Sequence, residues 1–380
     1  MPHNYLKAVD EIERHYPPTR VAAAKARLAA VWSLQRPPDA IPSIFMGVPM
    51  GEGWPQGIGE AACPKGPDQT LEFRLESIIA RAALDDDYVP SLNPGLRQGL
   101  IPTAYGAEEF WHEGHFWVKP LVRSAAEFLA LPRPDFTRDG QAAEMLATTR
   151  FFRRATAGRL PVQMPDMQGP LDLASHFLGT QRLFEEMADH PDDVHAMLAQ
   201  LTDDFIAFMR LQEAAVDGAL IPIHCHPVVW MPKDTAMALS EDMLAVISPR
   251  LYARFGVPYN ERVADAFGRI IIHSCGSFEH NLRLLAGTRG LLGVNFGVSE
   301  CDPRQVADQF GQRAVLLVHG TPVSCRNLPL LDPIAYVNFI FDFIRERDLC
   351  AIVMLAVAPG MTRQDCVELN RLARRRAVWS

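Results

Sequence analysis

From residue 134 to the C-terminus, short apolar runs alternate with stretches of helical periodicity, which confines the chain to parallel strands wrapped by helices. The runs Leu160–Met164, Ala219–His224, Arg269–Cys275, Leu291–Phe296, Ala314–His319 and Ala351–Val357 read as strands. Helices are expected over Leu171–Ala188, through Val194, Met197, Leu198, Leu201, Phe205 and Phe208, and over Phe278–Leu285. Others open at Ser248-Pro249, Asp302-Pro303 and Asp332-Pro333, where a side-chain oxygen caps orphan N–H groups and proline suits the first helical position. Thr362, with Asp365 three residues on, marks the last helix start.

Two further strands are expected at Ile41–Val48 and near Ala104–Phe110, and eight close a TIM (β/α)8 barrel. The rival is a doubly wound open sheet, against which counts the lack of a Gly-x-Gly-x-x-Gly turn after any strand. The domain reading is a single barrel over 1–380, with 1–100 an irregular N-terminal extension and 101–380 the main barrel. A knot of His112, Glu113 and His115 among Phe110, Trp111, Phe116 and Trp117 reads as an ordered aromatic loop that lids the site.

The net charge is −8 and no basic run occurs, so neither nucleic acid nor an anionic membrane is an expected partner. Met1–Arg14 carries Lys7, Asp10, Glu11 and Glu13 and lacks a signal-peptide core. Seven cysteines, an odd number without framework spacing, read as reduced thiols of a cytoplasmic protein.

Catalytic groups of such barrels sit at the C-terminal ends of the strands. Strand by strand, those ends carry Asp166 and Gln168; His224, Cys225 and His226; His273 and Cys275; Asn295; and His319. Glu300 and Cys301 follow just beyond Asn295. Unpaired polar groups are costly in an apolar interior, so this ring reads as a site. Residues two apart on a strand share a face, which puts His273 and Cys275 together, and imidazole with thiolate is a natural zinc-binding combination. Gly47–Gly59 lacks a Lys-Ser/Thr ending, and no Gly-x-Ser-x-Gly elbow is present, which leaves phosphate cradling and serine hydrolysis unsupported.

Gln168-Gly169-Pro170-Leu171-Asp172-Leu173-Ala174, Gly179, Asp189-His190-Pro191-Asp192, Ile247–Phe255, Pro258-Tyr259 and Ile272–Gly276 occur in an order that resembles the uroporphyrinogen decarboxylase-like superfamily, over roughly residues 100 to 375. The resemblance implies a TIM barrel. True decarboxylases of that superfamily carry an arginine-rich segment near the N-terminus, where this chain reads Phe45-Met46-Gly47-Val48-Pro49-Met50-Gly51 and lacks charge partners for a polycarboxylate. The resemblance is nearer the zinc methyltransferases that pass a methyl group between a corrinoid protein and a thiol. It implies zinc held by His273 and Cys275, a small-molecule substrate and a corrinoid-carrying partner. His226 and Asp166 are then the candidate catalytic groups, and Gln168, His224, Asn295, Glu300 and His319 the candidate substrate-binding groups. The later cysteine ligand of those enzymes is missing, because the turn in question reads Ala358-Pro359-Gly360-Met361. Cys301, Cys325, Cys366, His224, His226 and Glu300 are the candidates to replace it. The alternatives are a metal-free decarboxylase or lyase of a small acid, and a binding subunit that has lost its chemistry.

Overall fold

The structure is a computed structural model that describes residues 5–47, 66–95, 98–112, 115–165, 167–216, 229–320, 332–355, 357 and 360–379. Its regular strands, in chain order, are β1 (Ser43–Phe45), β2 (Glu109–His112), β3 (His115–Val118), β4 (Met237–Ser240), β5 (Ile270–His273), β6 (Leu291–Gly297), β7 (Val315–His319) and β8 (Ala351–Leu355). Six of them form one parallel sheet in the order β1-β8-β7-β6-β5-β4. The first strand beside the last is the adjacency of a ring. Both faces of such strands are covered, so they are apolar throughout rather than alternating. Ile270, Ile271 and Ile272 are all buried, each contributing about 1.5–3 kcal/mol of burial free energy.

The arc between β4 and β1 is not a continuous ladder. Single parallel bridges, Gln168 to Ser240 and Leu92 to Val162, carry the ring across it. At the β1 edge, side chains do what a neighbouring strand would do. The amide of Ser43 donates to Asp87 Oδ2 and that of Phe45 to Asp86 Oδ2, both at 2.9 Å. The Asp87 amide returns a bond to the Ser43 carbonyl at 3.0 Å. Arg81 and Arg27 neutralise the two carboxylates at 2.6 and 2.7 Å. Unmet backbone groups in the interior are costly, so buried charge is tolerated where the ladder fails. The fold is a TIM-type α/β barrel in which, among the described residues, six strands form one parallel ladder and the arc between β4 and β1 holds only isolated bridges and side-chain bonds.

Most expected helix starts hold. Ser248, Asp302 and Asp332 accept amide bonds at the heads of Pro249–Phe255, Pro303–Phe310 and Pro333–Glu346. Thr362 and Asp365 form a reciprocal capping box before Arg363–Ala377. The expected helix over Leu171–Ala188 is broken at Gly179, whose positive φ separates Pro170–Leu178 from Thr180–Asp189.

Three expectations change. The expected strand at Ile41–Val48 is present as β1, but the rest of residues 1–100 is less irregular than expected, since Tyr5–His15, Pro18–Trp32 and Pro67–Arg81 are helices. The region near Ala104–Phe110 gives no barrel strand. Leu100–Ala104 is helical, and β2 pairs antiparallel with β3 in a separate hairpin carrying the aromatic cluster. Ala219–His224 lies outside the described residues, and the strand before β5 is Met237–Ser240, which the sequence reading passed over.

Candidate metal centre

Strand register assembles the site. Gln168 pairs with Ser240, Ser240 with His273, and His273 with Asn295, so four polar residues stand in one row at the C-terminal ends of adjacent parallel strands. In-register residues of parallel strands point the same way. The direction is inward, because Asn295 Nδ2 lies 3.8 Å from Met354 Sδ on β8, two strands further round. His273 and Asn295 are 4% and 2% exposed.

Asn295 Nδ2 donates to the Leu317 carbonyl at 2.9 Å, which leaves Oδ1 as the end that meets His273 Nδ1, 2.5 Å away. An amide oxygen only accepts, so Nδ1 carries the imidazole proton and Nε2 presents a lone pair. Nε2 lies 3.2 Å from Cys275 Sγ. Asn295, a candidate substrate-binding group, has both ends of its amide engaged by the protein, the oxygen against the His273 imidazole.

Asp242 joins this pair. It begins the short 3-10 turn Asp242–Ala245 after β4, and its Oδ1 accepts the Cys275 amide at 2.7 Å. One donor atom each from Asp242, His273 and Cys275 lies within 4.8 Å of the other two. Nitrogen and sulfur ligands on a tetrahedral zinc stand roughly 3.5 Å apart, given bond lengths of about 2.0–2.3 Å, so the 3.2 Å separation of Nε2 and Sγ fits that ion.

Asp172, in the first turn of Pro170–Leu178, accepts the amides of Asp242 and Met243 at 2.7 and 2.8 Å. Burial, and then the charge of Asp242, push its carboxyl well above the usual range. Glu241 is also fully buried, and desolvation followed by the charge of Asp172 raises its carboxyl too. Gly169 makes room for it, since a Cβ there would sit 2.1 Å from Glu241 Oε1.

Glu300 and His319 both pack against Gly297, where a Cβ would come within 2.7 Å of Glu300 Oε2 and 2.8 Å of His319 Cε1. Desolvation raises the Glu300 carboxyl, opposed first by an amide bond from Gly276 and then by His273. These two candidates therefore lie beside the His273 row. Cys301 belongs to the neighbourhood but not to the donor set. Its Sγ faces the Gly276 carbonyl at 3.8 Å, and burial pushes the thiol up to about 12. Cys366 is buried in the outer helix Arg363–Ala377. Asp166, His224, His226 and Cys325 lie outside the described residues. The residue missed from sequence is Asp242. Its signal, a polar Ser240-Glu241-Asp242 ending an apolar Ala236–Leu239, obeys the same strand-end rule that found the others.

The uroporphyrinogen decarboxylase (URO-D) family model matches residues 100–225. Uroporphyrinogen decarboxylase from Xanthomonas campestris pv. campestris is 24% identical, covering 72% of this chain and 76% of its own. That of Syntrophotalea carbinolica is 26% identical over 53% of this chain and 55% of its own. A methyltransferase from Methanosarcina mazei superposes with a TM-score of 0.67 at 15% identity, over 93% of this chain and 98% of that one. No helix among the described residues is long and apolar enough to cross a membrane. The chain is thus similar in sequence to the uroporphyrinogen decarboxylase family and in fold to a methyltransferase.

Proposed function

We propose that this barrel is a zinc-dependent methyltransferase or demethylase that works with a corrinoid-carrying partner protein and a thiol acceptor, in the cytoplasm. The observation that carries the reading is the approach of His273 Nε2 to Cys275 Sγ at 3.2 Å, with the imidazole proton held on the far nitrogen by Asn295. The fold shared with a methyltransferase supports it. Zinc at this position supplies Lewis acidity that keeps a coordinating thiol deprotonated near neutral pH. His273 and Cys275 hold it. Glu300 and His319, both packed against Gly297, grip the substrate beside it, and Gln168 stands in the same row. His226 and Asp166 are the proposed acid–base groups, and His224 a further substrate contact.

Elemental analysis of the purified protein tests the metal: about one zinc per chain is expected, lost in a His273→Ala, Cys275→Ser double variant. A double variant that keeps its full zinc complement refutes the assignment. Methyl transfer from methylcobalamin to a thiol tests the reaction. A metal-free decarboxylase or lyase of a small carboxylic acid is the second reading, favoured by the names of the sequence relatives. Activity that survives exhaustive chelation selects it.

A further inference from the structure

We propose that Asp242 is the third protein ligand of this centre, set in place by the buried carboxylate of Asp172, so that the metal meets one nitrogen, one sulfur and one oxygen. The inference rests on the metal reading above and adds a residue that the resemblance does not supply, since the turn expected to bring a second cysteine reads Gly360-Met361 after Ala358-Pro359.

Three observations carry it. The first is proximity: the Asp242, His273 and Cys275 donor atoms form one cluster within 4.8 Å. The second is the way the carboxylate is held. Its Oδ1 accepts the Cys275 amide at 2.7 Å, and no hydrogen bond among the described residues engages the other oxygen. A carboxylate that bonds the protein with one oxygen and a cation with the other is a fixed ligand, oriented before the ion arrives. The same bond fastens the turn that carries the cysteine to the turn that carries the aspartate. The third is the support beneath it. Asp172 accepts both amides that open the 242–245 turn, at 2.7 and 2.8 Å, and it comes from a different strand-to-helix unit of the barrel. Asp172 is a positioning residue. It touches the ligand's backbone and none of the donor atoms.

The donor set has a chemical consequence. Exchanging a thiolate for a carboxylate makes the site harder, which reduces its preference for soft ions and admits cobalt(II) and manganese(II) more readily. With a divalent ion, one thiolate and one carboxylate balance the charge and leave a position for an anionic substrate thiolate.

Zinc affinity is measured by competition with a chromophoric chelator, and the cobalt(II)-loaded protein is examined for its thiolate-to-cobalt charge-transfer band. Asp242→Asn keeps an acceptor for the Cys275 amide, so the fold is retained, checked by circular dichroism without metal. The variant is expected to bind zinc at least ~100-fold more weakly, more than the loss typical of an outer-shell partner. Asp172→Asn should weaken binding about 10–100-fold and leave the cobalt spectrum unchanged in shape. Asp242→Cys should restore tight binding and roughly double the charge-transfer intensity, because a second thiolate joins the metal. Wild-type affinity and spectrum in both Asp242 variants would overturn the inference while leaving His273 and Cys275 as ligands. A folded wild-type protein that binds neither zinc nor cobalt would overturn the metal reading itself.

Discussion

Replacing Asn295 with leucine tests whether the imidazole of His273 is set by its neighbour on β6. Leucine has the same branched skeleton, is somewhat larger, and has no acceptor. The Nδ1 proton, on a ring 4% exposed and formerly 2.5 Å from Asn295 Oδ1, then has nowhere to go. If the tautomer stays, an unsatisfied buried donor costs about 1–3 kcal/mol of stability. If the proton moves to Nε2, the lone pair facing Cys275 Sγ is lost, and the cost appears in metal affinity instead. Either way an outer-shell contact worth about 10–100-fold in affinity, or about 1.4–2.7 kcal/mol, is removed. Urea denaturation of the metal-free protein reads the first term, and chelator competition near neutral pH the second. Asparagine to aspartate is the control, because it keeps an acceptor toward Nδ1 and should retain binding. A leucine variant with wild-type zinc affinity and wild-type metal-free stability would refute the tautomer argument. Nitrogen NMR of the ring offers an independent check, with the proton expected on Nδ1 in the wild type and absent from it in a variant that has switched.

Asp86→Ala strands the Arg81 charge, 8% exposed, together with the Phe45 amide, and should destabilise the fold by about 3–5 kcal/mol in urea titrations. Gly297→Ala forces its new methyl against Glu300 and His319. A loss of about 1–3 kcal/mol in stability is expected, with weaker substrate binding in a KM measurement and little change in zinc content. Cys301→Ala should leave zinc stoichiometry unchanged, since that thiol is pushed up to about 12 and its sulfur faces a carbonyl; loss of zinc would return it to the ligand set. Arg159 pairs with Asp10 and Glu13, fastening the first helix to the Thr156–Leu160 turn, and holds the Glu13 carboxyl below its usual range. The folded-state value is depressed, so the stabilisation is present above the unfolded carboxylate pKa of about 4.3 and disappears as pH falls through the folded value. The difference in thermal midpoint between wild type and Arg159→Ala should therefore be small near neutral pH, vanish in acid, and vanish in high salt.

The strands and caps from β5 onward were legible because each is a self-contained local signal. An unbroken apolar run such as Ile270–Ile272 suits a strand covered on both faces, and Asp-Pro at a helix start satisfies orphan amides without help from elsewhere. The arc between β4 and β1 was not legible for the opposite reason. Its hydrogen bonds come from Asp86 and Asp87, neutralised by Arg81 and Arg27, and nothing local in Asp85-Asp86-Asp87 distinguishes an edge substitute from a solvated acidic loop. The hairpin at Glu109–Val118 was hidden because the polar His112, Glu113 and His115 interrupt the aromatic residues and suggest a loop.

The site divides along the same line. His273 and Cys275 were visible as a pair because two-residue spacing on one strand is a local rule. The roles of Asn295 and Asp242 depend on register between strands, which is set by the packing of the whole ring. Asn295 was found by the strand-end rule, but its bond to the imidazole was not, since only the pairing of His273 with Asn295 puts the amide oxygen against Nδ1. Asp242 was missed although it obeys the same rule, because its strand is four residues long and the apolar run at Ala219–His224 took its place in the count. Pairing Ser240 with His273 brings the turn after β4 level with the turn after β5, and from that register the carboxylate of 242 can reach the amide of 275. A slip of one residue between those strands would send Ser240 to the opposite face and carry Asp242 away from the cysteine. The bond between Asp242 and Cys275 is therefore as much a register lock as a part of the candidate centre, and it would hold the two turns together in the metal-free chain.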